Sequence, residues 1–167
     1  MKMPICLVCL KSGILCPSCQ AKVDRGEVDE LDIKIARIFL ELENKFPMIK
    51  NATFFKAVDV DSLIVILVKS NNRLLRPVWN RISRIMGNKL KKQVRIVEKT
   101  PSIRQIAEQV LSPVKVKGVN IIWLPDGSRE NYIKISRFDL NRLKISKENA
   151  EKVLSQFTKE IIRIISE

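Results

Sequence analysis

The sequence predicts an α+β protein in which an N-terminal four-cysteine knuckle precedes two modules that share the element order α-β-β-α-β. Three observations support this prediction. All four cysteines lie within the first 19 residues, the rest of the chain alternates between helical and strand periodicity, and short sequence matches recur 68 and 69 residues apart. The expected domains are residues 1–25, 26–100 and 101–167.

Composition limits the possible classes of function. The chain has 167 residues, a formal net charge of +13 and 46% hydrophobic residues, which is too apolar for a disordered basic tail. A charge excess of this size favours a polyanionic partner. The sequence contains no histidine, which excludes histidine-based nucleophile pairs and general bases, so we expect a binding protein and not an enzyme.

Membrane insertion and secretion are not expected. The longest apolar run, Leu63 to Val68, is far shorter than the roughly 20 residues that span a bilayer. Lys2, Lys11 and two cysteine pairs occupy the region where a signal peptide would need an apolar stretch. The sequence therefore predicts a cytoplasmic protein that has neither a membrane nor a small-molecule substrate as its partner.

The cysteines form two CxxC pairs, Cys6 with Cys9 and Cys16 with Cys19. Two such pairs supply the tetrahedral all-sulfur shell that zinc favours, and Gly13 between them suits a turn with positive φ. Four protein ligands leave no open position, so the predicted cofactor is a structural zinc. The second pair resembles those of zinc ribbons, which dock on nucleic acid or on proteins, and the spacing leaves that choice open.

Two other interpretations of the cysteines remain. Disulfides are uncommon in a chain without a secretory signal, although the cytosol of thermophiles is an exception. A dithiol redox motif should lie near a βαβ pattern, and none is evident here.

The first module begins with a helix capped by Asp29 and stopped by Pro47. Its apolar residues recur at helical spacing: Leu31, Ile35, Ile38, Leu42 and Phe46. Two strands follow at residues 52–60 and Leu63–Lys69, with an acidic turn between them. A second helix is predicted at residues 75–86 with Gly87 and Asn88 as its exit, and a strand at residues 94–97 closes the module.

The second module repeats this order. Pro101 opens a helix that Pro113 ends, and strands at residues 115–124 and 132–136 flank the turn at residues 125–128. A helix is predicted at Lys147–Thr158 and a final strand at residues 161–165. Asn72-Arg73-Leu74 recurs as Asn141-Arg142-Leu143, and Arg95-Ile96-Val97 as Arg163-Ile164-Ile165. We infer an internal duplication.

These modules resemble type II KH domains, and the pair resembles the tandem KH domains of the transcription factor NusA, particularly its archaeal form. The most specific stretch is residues 94–116, which ends in Leu-Ser-Pro-Val-Lys-Val. The likeness covers roughly residues 29–167, and the cysteine segment lies outside it. The resemblance implies an RNA-binding accessory factor of transcription elongation or termination, with RNA as its partner.

Both modules depart from the KH pattern at the GxxG loop, which clamps about four backbone nucleotides in KH domains. The corresponding residues are Asn71-Asn72-Arg73-Leu74 in the first module and Ile145-Ser146-Lys147-Glu148 in the second, and neither stretch contains glycine. The KH-like units are therefore degenerate, and the second, where Glu148 would face phosphate, is expected to be the poorer RNA site.

The positive charge is concentrated between Lys69 and Gln105, where eleven basic residues and one acidic residue supply ten of the thirteen net charges. Arg76, Asn80 and Arg84 recur on one helix face, and arginine forks suit bidentate contact with phosphate. The predicted RNA-binding residues are Lys69, Asn71, Asn72, Arg73, Arg76, Asn80, Arg81, Arg84, Lys89, Lys91, Lys92, Arg142, Lys144 and Lys147.

Two further expectations concern side-chain placement. Trp79 and Trp123 both lie within apolar patterns, so each is assigned to the core. The first helix and its lead-in carry an acidic series that is expected to be solvated or turned towards a basic protein surface: Glu27, Asp29, Glu30, Asp32, Glu41 and Glu43.

Two functions therefore remain open at the level of sequence. The first is an RNA-binding accessory factor of gene expression, with phosphate contacts from the basic first module. The second is a protein-docking module on RNA polymerase or the ribosome, whose KH-like units no longer bind free RNA.

Overall fold

The structure is a computed structural model that describes residues 1–70 and 76–167. The chain has an α+β fold that divides into two compact units, Met1–Ile96 and Val97–Glu167. Each unit contains one three-stranded mixed sheet with helices packed against it. No helix within the described residues is long and apolar enough to cross a bilayer.

The first unit begins with two short helices, α1 (Leu7–Ser12) and α2 (Pro17–Asp24), that carry the cysteines. They are followed by α3 (Glu30–Lys45), a 3-10 turn at Pro47–Asn51, and the strands β1 (Thr53–Val60) and β2 (Leu63–Lys69). Helix α4 (Arg76–Leu90) and strand β3 (Gln93–Glu98) complete the series. The strand order is β1-β2-β3, with β1 antiparallel to β2.

The second unit contains α5 (Ile103–Leu111), β4 (Gly118–Trp123), β5 (Arg129–Ile135), α6 (Lys147–Thr158) and β6 (Ile161–Ser166). A 3-10 turn at Arg137–Arg142 lies between β5 and α6. The strand order is β4-β5-β6, in which β5 pairs antiparallel with β4 and parallel with β6. The predicted order of elements is thus present in both units.

Helix α3 shows why its sequence folds as predicted. Asp29 and Asp32 form a capping box, in which each side chain accepts the backbone N–H of the other residue and satisfies two otherwise unpaired donors. The apolar face of α3 is buried around Ile35 and Phe39, both 0% exposed. The Phe39 ring packs against Phe54 on β1 and edge-on against Trp79 on α4.

The cysteine segment shares the core of the first unit. Ile5, Cys9, Leu10 and Cys19 belong to the same buried cluster as the apolar residues of α3 and β2. The backbone of Lys2 also bonds to the start of β1, because its N–H donates to Ala52 and its carbonyl accepts from Phe54. Residues 1–24 therefore pack as part of the first unit.

Three placements differ from the sequence-based expectation. Helix α4 continues through Gly87 and Asn88 to Leu90 and is followed by Lys91 in a left-handed conformation, φ 55°. Asp32, expected on an acidic surface, is 0% exposed because Lys56 and the Ala57 N–H bond to its carboxylate. Trp123, expected in the core, is 68% exposed because it lies near the end of an edge strand.

Candidate metal centre and nucleic-acid interface

The four cysteine thiols converge at the start of the first unit, with all four Sγ atoms within 4.8 Å of one another. Cys6 and Cys16 immediately precede the first residues of α1 and α2, so the second cysteine of each pair falls within the first helical turn. This brings the two sulfurs of a CxxC pair to one end of their helix. Gly13, with φ 78°, ends α1 and lets the chain turn towards the second pair.

Backbone amides link the two pairs. The Cys6 N–H donates to Cys19 Sγ at 3.3 Å, and the Cys16 N–H donates to Cys9 Sγ at 3.1 Å. The Cys19 N–H, together with neighbouring thiols, lowers the pKa of Cys16 to about 7, and the Cys9 N–H similarly lowers the pKa of Cys6. The Cys16 N–H acts to lower the pKa of Cys9, but the adjacent thiols and burial outweigh it and raise that pKa to about 12.

The donor set fits a tetrahedral metal. A zinc–sulfur distance of about 2.3 Å corresponds to neighbouring sulfurs about 3.8 Å apart in a tetrahedron. The Sγ atoms of Cys6 and Cys9 are 3.2 Å apart, and the whole cluster spans no more than 4.8 Å, so these distances bracket the tetrahedral value. The four cysteines therefore form a possible metal site whose sulfurs need only small shifts to close on an ion.

The metal site is tied to the protein core. Cys9 and Cys19 are 1% and 3% exposed, whereas Cys6 is exposed. Since the buried cysteines pack with Ile5 and Leu10, a bound metal would cross-link α1 and α2 above the core of the first unit. With a metal bound by all four sulfurs, no coordination position would be left for a substrate.

The second feature is a cavity of about 630 Å³ in the first unit, between α4 and β3. Trp79, Leu63 and Ile96 contribute its apolar lining, and Trp79 is only 4% exposed. Polar side chains of Asn80, Ser83, Asn88 and Gln93 line it as well. We call this cavity and its lining the basic groove.

The charge of the basic groove has one sign. Arg84, Lys91, Lys92 and Arg95 line it, and no acidic residue is among its described lining residues. Lys92 is partly neutralised by Asp59, which its Nζ contacts at 2.6 Å. Burial lowers the pKa of the Arg95 guanidinium, which still remains protonated at neutral pH. These cations, together with amide and hydroxyl donors, suit an anionic ligand such as a phosphodiester backbone.

Gly87 lets the backbone at Lys92 pack closely against α4 at one end of the groove. A Cβ atom at this position would approach the Lys92 carbonyl oxygen to 3.0 Å, closer than nearly all Cβ contacts allow. Glycine therefore lets the chain fold back against α4 immediately after the helix ends. This return brings Lys91 and Lys92 to the same cavity as Arg84.

The structure separates the predicted RNA-binding residues of the first unit into distinct groups. Asn80, Arg84, Lys91 and Lys92 line the basic groove. The other described residues of this set do not line the groove. Asn71, Asn72 and Arg73 lie outside the described residues.

Two basic residues of α4 contact other elements of the first unit. The Arg81 guanidinium lies 5.6 Å from the centre of the Phe46 ring, and Lys89 Nζ contacts Glu41 on α3 at 2.6 Å. Lys69 and Arg76 are exposed at the end of β2 and the start of α4. A regular basic spacing along α4 therefore corresponds to more than one surface.

In the second unit, Arg142, Lys144 and Lys147 are all exposed. Arg142 forms an ion pair with Asp139 at 3.1 Å. Lys147 is the first residue of α6, whose N-terminus is capped by the Ser146 hydroxyl. The Ile145–Glu148 stretch thus spans the start of α6.

Sequence reasoning missed two parts of the groove. Arg95 is one of the basic residues of the sequence but not one of the predicted site residues, and it lines the cavity; Trp79 is buried as predicted and lines the cavity as well. The signal for Arg95 was its place on the strand after α4, which in an α-β-β-α-β unit lies beside that helix. The cavity itself depends on the packing of α4 against the sheet and has no signature in the sequence.

Comparison with known proteins supports the fold. No protein-family profile matches the chain, and no curated protein is significantly similar to it. Among solved structures, the crystal structure of APE1850 is similar with a TM-score of 0.52 and 20% sequence identity. The match covers 75% of this chain and 96% of the APE1850 chain. At this level of identity the likeness establishes the shared fold alone.

Proposed function

We propose that this protein is an RNA-binding accessory factor of gene expression, similar to archaeal NusA, and that its first KH-like unit contacts RNA phosphates through the basic groove. The observation that carries the proposal is the gathering of Arg84, Lys91, Lys92 and Arg95 around one cavity in the described part of the chain. The proposed role is binding without catalysis, consistent with a sequence that has no histidine.

The dimensions and chemistry of the groove support a nucleic-acid ligand. Its volume of about 630 Å³ lies within the range of small-ligand pockets, and it has room for a base or a sugar next to the cations. Base stacking needs an aromatic surface, and phosphate binding needs cations or amide donors. Asn80 and Asn88 add neutral donors to the four cations, whereas Trp79 is buried and contributes only to the apolar wall.

We further propose zinc as the metal of the four-cysteine site. Thiolate ligands in a closed four-coordinate set select zinc among the common structural metals, because it accepts tetrahedral sulfur ligation without a redox change. When bound, the ion would hold α1 and α2 together. The chain's own contribution is the set of N–H···S bonds, which stabilises the thiolates that the metal requires.

The decisive experiment for RNA binding compares two charge reversals, one among the residues that line the groove and one at residues of α4 that do not line it. Arg84→Glu with Lys91→Glu changes the groove, and Arg81→Glu with Lys89→Glu makes the same change of net charge on the side facing Phe46 and Glu41. Binding to a fluorescent single-stranded RNA of about ten nucleotides is measured over a range of salt. We expect the groove variant to lose at least tenfold more affinity than the control.

Salt dependence tests the same proposal through a different quantity. Each phosphate contact to a single strand contributes about 0.7 to the slope of log K against log salt, so removing two groove contacts lowers that slope by about 1.4. The control variant should keep most of the parental slope. Equal losses of affinity and slope in both variants would mean that net charge alone drives binding, and the groove assignment would be wrong.

The alternative function, docking on RNA polymerase or the ribosome, is favoured by one separate observation. Leu7, Val8 and Ile14, next to the cysteine site, are 50%, 74% and 77% exposed. Exposed apolar side chains near a metal site are available for contact with a protein partner. Retention of the parent on such a machine after nuclease treatment, lost in a Val8→Asp and Ile14→Asp variant, would support this alternative.

A further inference from the structure

Strand β4 is an edge strand of the second unit. Its only neighbour in the sheet is β5, and no other described strand pairs along its outer side. The residues from Gly118 to Leu124 carry no charge. Ile121, Ile122 and Trp123 are 51%, 46% and 68% exposed, so both faces of the strand present apolar side chains.

The hairpin fixes which backbone groups of β4 face outward. The Leu124 N–H donates to the Ser128 carbonyl at 2.8 Å, and Ile122 lies opposite Glu130. In an antiparallel ladder, hydrogen-bonded and non-hydrogen-bonded positions alternate. Asn120 and Ile122 therefore use their backbone groups towards β5, whereas Val119, Ile121 and Trp123 direct theirs to the open edge.

The equivalent edge of the first unit is protected. The backbone of Lys2 bonds across the start of β1, and the register of β1 shifts between Phe54 and Lys56. Lys56 and Asp59 place charges along the rest of that strand. Bulges, charges and a covering segment are the devices that prevent edge-to-edge pairing, and β4 has none of them between Gly118 and Leu124.

We propose that β4 is a self-association surface on which a second copy of this chain pairs in antiparallel orientation. The two-fold axis passes at Ile121, which then lies opposite Ile121 of the second copy. This register also sets Val119 opposite Trp123 of the other copy. All three pairs use outward-facing backbone groups, so the two edges exchange six hydrogen bonds and the two three-stranded sheets become one six-stranded sheet.

The charges that flank β4 identify a second copy as the occupant. Lys115 and Lys117 precede the apolar segment and are exposed, and Asp126 follows it in the exposed hairpin turn. Antiparallel pairing brings the lysines of each copy beside Asp126 of the other. The segment is thus complementary to itself in charge as well as in its apolar side chains, which an isologous interface requires.

The test measures mass against concentration for the zinc-loaded full chain by sedimentation velocity. The parent should pass from the monomer mass of 19.2 kDa towards twice that value as concentration rises from about 1 to 500 μM. Ile121→Lys should remain monomeric throughout. Ile161→Lys is the matched control, because Ile161 is an isoleucine of similar exposure, 41%, on the opposite edge strand, β6.

A second variant separates edge pairing from general surface polarity. Ile121→Pro removes one outward-facing N–H while leaving the β4–β5 ladder bonds in place, so it should also abolish the dimer. Circular dichroism verifies that each variant is folded. A parent that is monomeric at 500 μM would overturn the proposal, and so would a dimer that survives both Ile121→Lys and Ile121→Pro, whatever the effect of Ile161→Lys.

Register provides the sharpest readout. Directly opposed residues of a hydrogen-bonded antiparallel pair have Cα atoms about 5.5 Å apart, which suits a disulfide. Ile121→Cys should therefore form a covalent dimer under mild oxidation, and Ile161→Cys should not. Equal cross-linking of the two variants would contradict the assigned edge.

Discussion

The two units share one order of elements but treat the outer strand of their sheets differently. In the first unit, Lys2 covers the start of β1, and Lys56 and Asp59 place charges along it. In the second unit, β4 presents Ile121, Ile122 and Trp123 to solvent. The difference shows that two units with the same order of elements can differ at the outer strand, which is shielded in the first unit and open in the second.

The helix that packs beside the last strand differs as well. In the first unit, α4 contributes Arg84 to a cavity that Lys91, Lys92 and Arg95 also line. In the second unit, α6 begins with Lys147 and Glu148, which carry charges of opposite sign. Its buried face is formed by residues such as Val153 and Leu154. The proposed RNA contact therefore belongs to the first unit.

The largest expected effect concerns the cysteines, which only the first unit has. Cys9→Ser combined with Cys19→Ser should remove the metal and destabilise the first unit by several kcal/mol, since binding of a structural zinc is worth about 10–16 kcal/mol in small peptides. Hydrogen exchange should rise in β1 and α3 but not in β5. Metal analysis should find one zinc per chain in the parent and none in the variant.

Ser18→Ala, an exposed change within the same CxxC pair, is the control and should keep both metal and protection. Unchanged exchange in β1 after loss of the metal would mean that the cysteine segment does not support the first unit.

The two tryptophans give the next contrast. Trp79 is 4% exposed and packs edge-on against Phe39, so Trp79→Ala should lower the free energy of unfolding by about 3–5 kcal/mol. Trp123 is mostly exposed, and Trp123→Ala should cost less than about 0.5 kcal/mol in dilute solution. Urea unfolding monitored by circular dichroism measures both. Similar losses would contradict the placement of one tryptophan in the core and the other at an edge.

The buried ion pair of the first unit is expected to have a smaller effect. Asp32 is 0% exposed and contacts Lys56 Nζ at 2.7 Å, so Asp32→Asn, which leaves the lysine with Asp29 alone, should cost about 2–3 kcal/mol near pH 7. Burial acts to lower the pKa of Lys56, but its hydrogen bonds to Asp32 and Asp29 outweigh this and raise it above 10.5.

A raised lysine pKa contributes stability that is present below its ordinary value and is lost as pH rises through the folded value. The difference between parent and Asp32→Asn should therefore be constant from pH 7 to 9 and should shrink above about pH 10.5. A difference that is independent of pH up to 12 would show that packing, not charge, accounts for the loss.

The smallest predicted effect is at a helix cap of the second unit. The Ser146 hydroxyl accepts the Asn149 N–H at the start of α6, and Ser146→Ala should cost about 1 kcal/mol. Ser146→Asp should restore most of that loss, because aspartate caps as well as serine. Thermal unfolding measures both variants, and a loss that aspartate does not restore would assign Ser146 a different role.

Periodicity predicted most of the secondary structure. Helix α6 runs over Lys147–Thr158 as predicted, and α3 begins after its Asp29 cap. Such local signals are reliable where a cap or proline marks the boundary. Gly87 did not end α4, because its role is to admit the Lys92 carbonyl, a contact between residues on either side of a turn.

Burial was predicted less well where it depends on the position of a strand in its sheet. Trp79 and Trp123 occupy similar apolar patterns, yet Trp79 lies on the buried face of α4 and Trp123 near the end of an edge strand. The sequence does not distinguish Asp32 from the surface carboxylates around it, and only the approach of Lys56 and Ala57 explains its burial. A sequence pattern identifies which side of a helix or strand is apolar, but it does not identify the element that packs against that side.

The sequence by itself determined the four-cysteine set, the doubled α-β-β-α-β order and the concentration of charge between Lys69 and Gln105, because spacing and composition are local properties of the chain. The tertiary structure alone decided that Arg84 and Arg95 line one groove while Arg81 and Lys89 contact Phe46 and Glu41. It also decided that β1 is covered and β4 is open. Helical spacing gives the direction in which each side chain leaves the helix axis. Only the packing of the helix determines which residues lie in that direction.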